Sequence, residues 1–343
     1  MREEGKEAFR FLLVFEKMTA PDKTFLRRFD PHFRRINDEL SKSLASDNAM
    51  IEEITQYSLL GEGKRLRPLL FVLSCELCGP AGEEIYRLST IFECIHAASL
   101  LHDDVLDNAE MRRKKPSVRN VWGNSAAVLG GDFLYAQASA IVGECDTLEF
   151  VKALGRTTKR MVEGQFLELG HTHNWHLSKE QYMEVIVAKT AELMSAACAC
   201  GGIIAGAPKA AIDNLGRFGL NLGIAFQLID DVLDYTSSEE AFGKPVGKDL
   251  REGKITLPLI YLLSDFQENE INKLEDFYKN QQAKGEDYER IIAMVRNNAV
   301  IEKIQKEAQG YVNQANRALD FFPESSMKDD LSGLSQYILK RTF

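Results

Sequence analysis

No run of 18 uninterrupted apolar residues occurs in this chain of 343 residues, so the sequence predicts no transmembrane span. Its longest uncharged apolar stretch, from Leu193 to Lys209, is rich in Ala, Gly and Cys and reads as a closely packed helix. Basic excess is also lacking. With 42 Lys and Arg against 51 Asp and Glu the net charge is −9, which argues against nucleic acid as a main partner. A polyanionic small molecule stays possible if metals and local basic clusters receive it. Cysteine is sparse, at six, and forms no framework. Cys75 and Cys78 have C-x-x-C spacing, but they sit in a helical pattern with no second pair or His ligand nearby, so they read as small buried hydrophobes. Free thiols fit the reducing cytosol. The apolar residues Phe9 to Phe15 look like a signal-peptide core, yet charges flank both sides and no small-residue cleavage site follows. The expectation is a cytoplasmic protein, with Met18 as a second possible start.

No convincing strand ladder is found, and helical periodicity dominates. Amphipathic or capped segments run from about 33 to 46, from Pro68 to a stop at Gly79-Pro80, and from 83 to Asp107. Others span about 125–144 and 147–168. Ser178 with Gln181 forms a capping box that opens a helix to about Ala205. Leu215, Phe218, Leu222, Phe226, Ile229 and Leu233 trace a 3.6-residue stripe. Pro258 opens a further helix, a polar loop lies near 279–287, and helices near 300–321 and 325–340 close the chain. The predicted fold is all-α, a large helix bundle around a central cavity. Residues 1–30 read as an extension and 31–343 as one domain.

Two acidic clusters stand out: Asp103-Asp104-x-x-Asp107 and Asp230-Asp231-x-x-Asp234. On a helix, positions i and i+4 share a face, so Asp103 lies beside Asp107 and Asp230 beside Asp234. Both clusters follow apolar stretches, where an unpaired carboxylate is costly. Two solvated helix ends fit those flanks poorly. Hard oxygen ligands without His or Cys point to Mg²⁺, which bridges carboxylates to substrate phosphates. Six carboxylates around one cavity would demand several such ions, and the ions in turn an anion such as a diphosphate, whose departure the metals would assist.

Basic residues supply the complement. Lys64 and Arg67 lie at i, i+3 near a helix start, where backbone N–H groups favour anions. Arg112-Arg113 follows the first acidic cluster with a geometry suited to phosphate oxygens. Each pair alone reads as a solvated charge run; beside two metal clusters, they suggest two anions bound by different means. His96 sits two turns before Asp103 and is either a core histidine or a phosphate ligand. Lys189-Thr190 and Gln227 are polar groups among apolar neighbours, placed to hold a leaving group or to make local hydrogen bonds. His171, His173 and His176 lack a carboxylate partner and read as a structural loop.

These motifs, with Gly63-Lys64-x-x-Arg67-Pro68 and the Gly243-Lys244-Pro245-Val246-Gly247-Lys248-Asp249 loop, resemble the trans-polyprenyl diphosphate synthase family over roughly residues 30 to 340. The stretch from Asp249 to Pro258 is similar to its long-chain members. Lys114 departs from a frequent Gly and is expected to alter the loop without removing a ligand; Asn108 and Glu110 replace frequent aspartates outside the metal triad. The resemblance implies an isoprenoid synthase fold and a head-to-tail prenyltransferase. It implies three Mg²⁺ ions with bound diphosphate, held by Asp103, Asp104, Asp107, Asp230, Asp231 and Asp234. An allylic diphosphate would also meet Arg112, Lys189, Thr190, Gln227 and Lys244, with Lys254 as a further phosphate contact. Isopentenyl diphosphate would be held by Lys64, Arg67, His96 and Arg113. Asp103, Asp107, Asp230 and Lys189 would carry the ionisation step. A homodimer is implied, with the small-residue helices 125–144 and 193–206 at its interface, no nucleic acid, and at most peripheral membrane contact for product release.

Product length turns on Ala98 and Ser99, five and four positions before Asp103. In the family bulky aromatics there act as a floor, and small residues let the product grow. The nearest aromatic down the same helix is Phe92, about 16 Å below Asp103 at 1.5 Å per residue. A long-chain product is therefore expected. The alternatives are a short-chain geranylgeranyl or farnesyl synthase, and a regulatory subunit of a heteromeric synthase; a terpene cyclase ranks below them because both acidic clusters and the Lys64/Arg67 pair are intact.

Overall fold

A computed structural model describes residues 25–60, 63–237, 246–280 and 282–340. Among these residues the chain is helical except for one short hairpin. Helix α1 (Asp30–Ser43) has Pro31 in its first turn and buries Phe33, Ile36 and Leu40 along one stripe. α2 (Ala49–Leu59) starts at Asn48, whose side chain accepts from the N–H groups of Met50 and Ile51. α3 (Leu66–Cys78) and α4 (Glu84–Leu106) follow, then strands β1 (Met111–Arg112) and β2 (Lys115–Pro116), which pair antiparallel. α5 (Val118–Trp122), α6 (Asn124–Gly143) and α7 (Leu148–His171) complete the first half.

The capping box at Ser178 and Gln181 is present and opens α8 (Lys179–Ile186). The expected single helix to Ala205 is interrupted by a π-helical turn at Val187–Ala191, beyond which α9 (Glu192–Ile204) continues. The apolar stripe lies on α10 (Lys209–Thr236). Then come α11 (Lys248–Arg251), α12 (Leu257–Leu263), α13 (Glu268–Lys279), α14 (Gly285–Arg296), α15 (Val300–Leu319) and α16 (Ser326–Lys340). The segment after Pro258 is thus three helices where one was expected. The predicted polar loop falls between the second and third of them.

Two apolar cores form. The first gathers α1 to α7, α9 and α16 around Phe71, Phe92 and Phe150; the second gathers α8 and α12 to α14 around Leu228, Tyr235 and Leu257, and α15 contributes to both. α10 joins them, giving Leu215, Phe218 and Leu222 to the first and Ile229, Val232 and Leu233 to the second. α4 packs along α6, and α9 along α3 and α10. This packing settles what composition left open. α6 and the α8–α9 segment are both long and apolar enough to cross a membrane, but most of the latter is buried within the protein. α9 is accordingly a core helix, with Leu193, Ala197, Cys198 and Cys200 fully buried, and is not free to form a dimer interface as expected from its small residues. Cys75, Cys94, Cys198 and Cys200 are buried thiols whose pKa burial raises, as inert hydrophobes should be.

Candidate active site

The ends of α4, α7 and α10 and the π-helical turn enclose a cavity of about 210 Å³. Asp103 and Asp107 of α4 line it, and across from them stand Lys189 and Thr190 of the π-helical turn and Gln227 and Asp231 of α10. The turn fits because glycines let its neighbours come close. A Cβ on Gly164 would lie 2.8 Å from the Lys189 nitrogen, and one on Gly223 would lie 2.6 Å from the Ala191 Cα. The extra residue of a π turn re-aims Lys189 and Thr190 into the cavity.

Ammonium groups bridge the carboxylates here. Lys189 Nζ lies 2.5 Å from Glu168 and 3.4 Å from Asp103. Lys254 Nζ lies 2.8 Å from Asp107 and 2.9 Å from Glu252. Burial raises the Asp103 pKa, Lys189 opposes that rise, and Glu168 and Asp107 add to it. Burial pulls the Lys189 and Lys254 pKa values down, but the surrounding carboxylates outweigh it and both end raised. Both lysines are therefore charged, held where carboxylates alone would repel one another.

The second cluster is tied by hydrogen bonds. Tyr182 donates to Asp231 at 2.5 Å, Gln227 Nε2 donates to Asp231 at 2.8 Å, and Thr190 donates to Gln227 Oε1 at 3.0 Å. Asp234 accepts the backbone N–H of Asp249 at 3.2 Å. The expected ring of six carboxylates is thereby divided. Asp103, Asp107 and Asp231 line the cavity with Glu168, Asp249 and Glu252, whereas Asp104 faces away and its Oδ1 accepts from Arg112 Nε at 2.8 Å and Nη2 at 2.5 Å. Among the described residues no three potential ligands converge on one point in this lysine-bridged arrangement. The donors are nonetheless all hard oxygens, and two ammonium groups already stand where cations are needed, so the set fits a divalent ion.

Behind α4 lies a second, smaller cavity of about 30 Å³ lined by Glu93, His96, Asp104, Arg112 and Arg113. Its character is cationic. Burial drives the His96 pKa well below its ordinary value, and Arg67, Arg113, Arg112 and Arg65 push it further down, so His96 is neutral. Burial also lowers the Arg67 pKa to about 10, against the pull of Glu93 and with the push of Arg113. The Arg67 Nε is buried and has no partner. A buried donor without an acceptor beside like charges is a place prepared for an anion. Arg65 forms a buried pair with Glu93 at 2.8 Å, which ties α3 to α4. Neither Arg67 nor Lys64 is among the residues that line this cavity, and the Lys64 ammonium stands 5.6 Å from the Tyr337 ring centroid.

Arg113 reaches the pocket from the hairpin turn. Arg113 and Lys114 are both left-handed, at φ 50° and 63°, the arrangement of a two-residue turn that favours glycine. Lys114 therefore adopts a conformation that glycine takes readily, at a cost of roughly 1–2 kcal/mol. Leu100 and Arg112 line both cavities, so a single wall separates them.

A family model described as polyprenyl synthetase matches residues 48–295. The chain belongs to the polyprenyl synthetase family. It is 34% identical over 314 residues to the octaprenyl diphosphate synthase of Haemophilus influenzae, covering 92% of this chain and 95% of that one. It is 33% identical to the geranylgeranyl diphosphate synthase of Saccharolobus solfataricus, covering 91% and 97%. The crystal structure of a polyprenyl synthase from Caulobacter crescentus, complexed with calcium and isoprenyl diphosphate, superimposes with a TM-score of 0.89 at 34% identity, covering 94% of this chain and 98% of that one. As a polyprenyl synthetase, this protein is a prenyltransferase with an all-α fold.

Several residues that line or hold the site carry no obvious sequence signal of their own: Glu168, Tyr182 and Glu93, while Glu252 and Arg65 lie within stretches named above without being singled out. Glu168 lies one turn after Gly164, whose close approach to the π-helical turn is the only local hint. The His171 to His176 stretch is partly as expected. The His173 backbone N–H donates to the Gly253 carbonyl at 2.7 Å, and His176 pairs with Asn272 at 2.7 Å; against expectation, His176 stands 3.6 Å from the Glu275 carboxylate and His171 lines the larger cavity. Ala98 is fully buried in the first core, and the Ser99 hydroxyl donates to the His96 carbonyl at 2.8 Å. Lys244, the Met18 start and most of the 1–30 extension lie outside the described residues.

Proposed function

We propose that this enzyme condenses isopentenyl diphosphate head-to-tail with an allylic diphosphate, repeatedly, to give a long-chain all-trans polyprenyl diphosphate. The observation that carries this reading is the shared wall of Leu100 and Arg112 between an acidic, lysine-bridged cavity and a cationic one. The allylic diphosphate takes the larger cavity, meeting Lys189, Thr190, Gln227, Arg112 and Lys254; the resemblance adds Lys244, which lies outside the described residues. Isopentenyl diphosphate takes the smaller one, with Arg67, His96 and Arg113 around its phosphates and Lys64 at its edge. Asp103, Asp107, Asp230 and Asp231 would hold Mg²⁺, three ions in all, with Asp104 and Asp234 braced behind them. When bound, the metal neutralises the charge that develops on the departing diphosphate.

The protein's own contribution is positioning and exclusion of water. Lys189 and Lys254 wait as charged groups beside the leaving diphosphate, and Gln227 and Thr190 are fixed by their hydrogen bonds. Leu100 presents an apolar surface where the two chains meet, which keeps water from an allylic cation. Small side chains at Ala98 and Ser99, one turn below Asp103, would let the core there yield to a growing product. The chain acts in the cytoplasm as a homodimer of one domain per subunit, with no nucleic-acid partner. Val128 and Leu129 of α6 and Val162, Phe166 and Leu169 of α7 offer it an exposed apolar face.

The likeness to a geranylgeranyl diphosphate synthase favours a second reading, a short-chain product. Mass analysis of products made by the purified chain with Mg²⁺ and several allylic primers separates the two. Products longer than geranylgeranyl are expected. A series that stops at geranylgeranyl assigns the short-chain activity, and no turnover at all assigns the chain as a subunit that needs a catalytic partner.

A further inference from the structure

Two lysines of the larger cavity, Lys189 and Lys254, are each shared between one carboxylate of the first acidic cluster and one carboxylate outside both clusters. Lys254 is shared nearly evenly, at 2.8 Å from Asp107 and 2.9 Å from Glu252. Lys189 is shared unevenly. It donates a hydrogen bond to Glu168 at 2.5 Å and stands 3.4 Å from Asp103, near enough to attract but too far for a good hydrogen bond. Glu168 is itself steadied by Gln165 Nε2 at 3.3 Å, one helical turn away. Its side chain and that of Lys189 are each about one-fifth exposed, so the pair is only weakly screened.

Nothing in the proposed reaction calls for Glu168. A carboxylate facing a diphosphate site should be unfavourable, yet this one lines the cavity. Its position explains it. Without Glu168, the nearest carboxylate to Lys189 is Asp103, and the ammonium would close on the oxygen that a cation must take.

We propose that Glu168 is a positioning residue that draws Lys189 off Asp103, leaving Asp103 open to a divalent cation and discouraging diphosphate that arrives without metal. This rests on the metal–diphosphate reading above. Glu168 thus sets the preference of the cavity for a metal–diphosphate pair over bare diphosphate. It holds Lys189 beside the cavity in either state, so the lysine meets the diphosphate once the cation is in place.

The test is a binding cycle with no turnover. Wild type, Glu168→Gln, Lys189→Met and the double variant are titrated with Mn²⁺, read by the paramagnetic signal of the free ion. The same four proteins are titrated with pyrophosphate in chelator, read by calorimetry. In Glu168→Gln, Mn²⁺ should bind about five- to tenfold more weakly, and metal-free pyrophosphate more tightly by a similar factor. On the Lys189→Met background the same change should alter Mn²⁺ binding by less than about twofold, because the coupled partner is gone. Glu168→Asp, which keeps the charge but is too short to reach Lys189, should weaken Mn²⁺ binding as Glu168→Gln does. Equal weakening with and without Lys189 would mean that Glu168 acts only through its general field, and the proposal falls. An unchanged Mn²⁺ affinity in Glu168→Gln also overturns it, while leaving the metal reading intact if wild type binds. If wild type binds no Mn²⁺ in either the absence or presence of pyrophosphate, the metal reading itself fails and this proposal with it.

Discussion

The Tyr182 hydroxyl stands 2.5 Å from the Asp231 carboxylate, joining α8 to the second acidic cluster inside the protein. Both groups are buried, and burial raises the pKa of each well above its ordinary value. The hydrogen bonds from Tyr182 and Gln227 work against that rise in Asp231 and keep its oxygens aimed. Tyr182→Phe removes one of the two donors and leaves a buried carboxylate short of a partner, at about 1–3 kcal/mol. Thermal unfolding should show a lower Tm. The Mg²⁺ concentration that gives half-maximal rate should rise, and an unaltered metal requirement would count against a role for this bond in the site.

Arg67 carries a buried Nε without an acceptor and a pKa lowered to about 10, the mark of a group held for a ligand at the expense of the fold. Arg67→Gln should therefore raise Tm while weakening isopentenyl diphosphate binding by roughly ten- to a hundredfold, the loss of a charge-assisted hydrogen bond. Calorimetry of isopentenyl diphosphate and a melting curve on the same sample check both halves. A variant that both melts earlier and binds normally would show that Arg67 is structural.

His96 gives the stability a defined pH dependence. Its folded pKa lies well below the ordinary 6.5, through burial and four neighbouring arginines. Below about 6.5 the unfolded chain gains a proton that the folded one refuses, so unfolding is favoured as pH falls. Above that value both states are neutral and the effect vanishes. The Tm of the wild type should drop on acidification from pH 7 towards 5, and His96→Gln should make that drop shallower. Equal slopes in the two proteins would exclude His96 as the titrating group.

Ala98→Phe and Ser99→Phe test the space below Asp103. Each places an aromatic ring one turn deeper in α4 than the first acidic cluster, and each should shift the product distribution to shorter chains. Ala98 is fully buried, so Ala98→Phe also overpacks the core by about 1–3 kcal/mol, while Ser99 is only half-buried and tolerates the change better. Chromatography of the dephosphorylated prenols reads the outcome. An unchanged distribution from a folded Ser99→Phe variant would remove this position from the control of chain length.

Helix type and many boundaries were legible because their signals are local. The capping box at Ser178, the stripe from Leu215 to Leu233 and the stop at Gly79 each depend on a few adjacent residues. The π-helical turn at Val187–Ala191 was not legible, because the slip of hydrogen-bond register follows from close packing on Gly164 and Gly223, which lie on other helices. The hairpin turn was hidden as well, since Arg113 and Lys114 adopt a conformation their side chains disfavour. The carboxylates were half legible. Spacing puts Asp103 and Asp107 on one face, but it does not say that Asp104, about 100° further round the helix, would face Arg112. Nor does it reveal that Asp231 lines the cavity through its bonds to Tyr182 and Gln227.

The sequence by itself determined the class of chemistry. Two helical acidic clusters, with basic residues near them and no soft ligands alongside, call for hard cations and phosphate groups whatever the fold that carries them. Tertiary structure alone decided the partition of those charges. It sent Asp103, Asp107 and Asp231 to one cavity, Arg113 and His96 to another, and placed Leu100 and Arg112 between them. It also brought Glu168, which belongs to no motif, against Lys189, and Glu252 against Lys254. The reason is physical. Residue type and spacing fix what a side chain can bind and which neighbours share its face, whereas the partner it meets across a cavity depends on how separate helices pack.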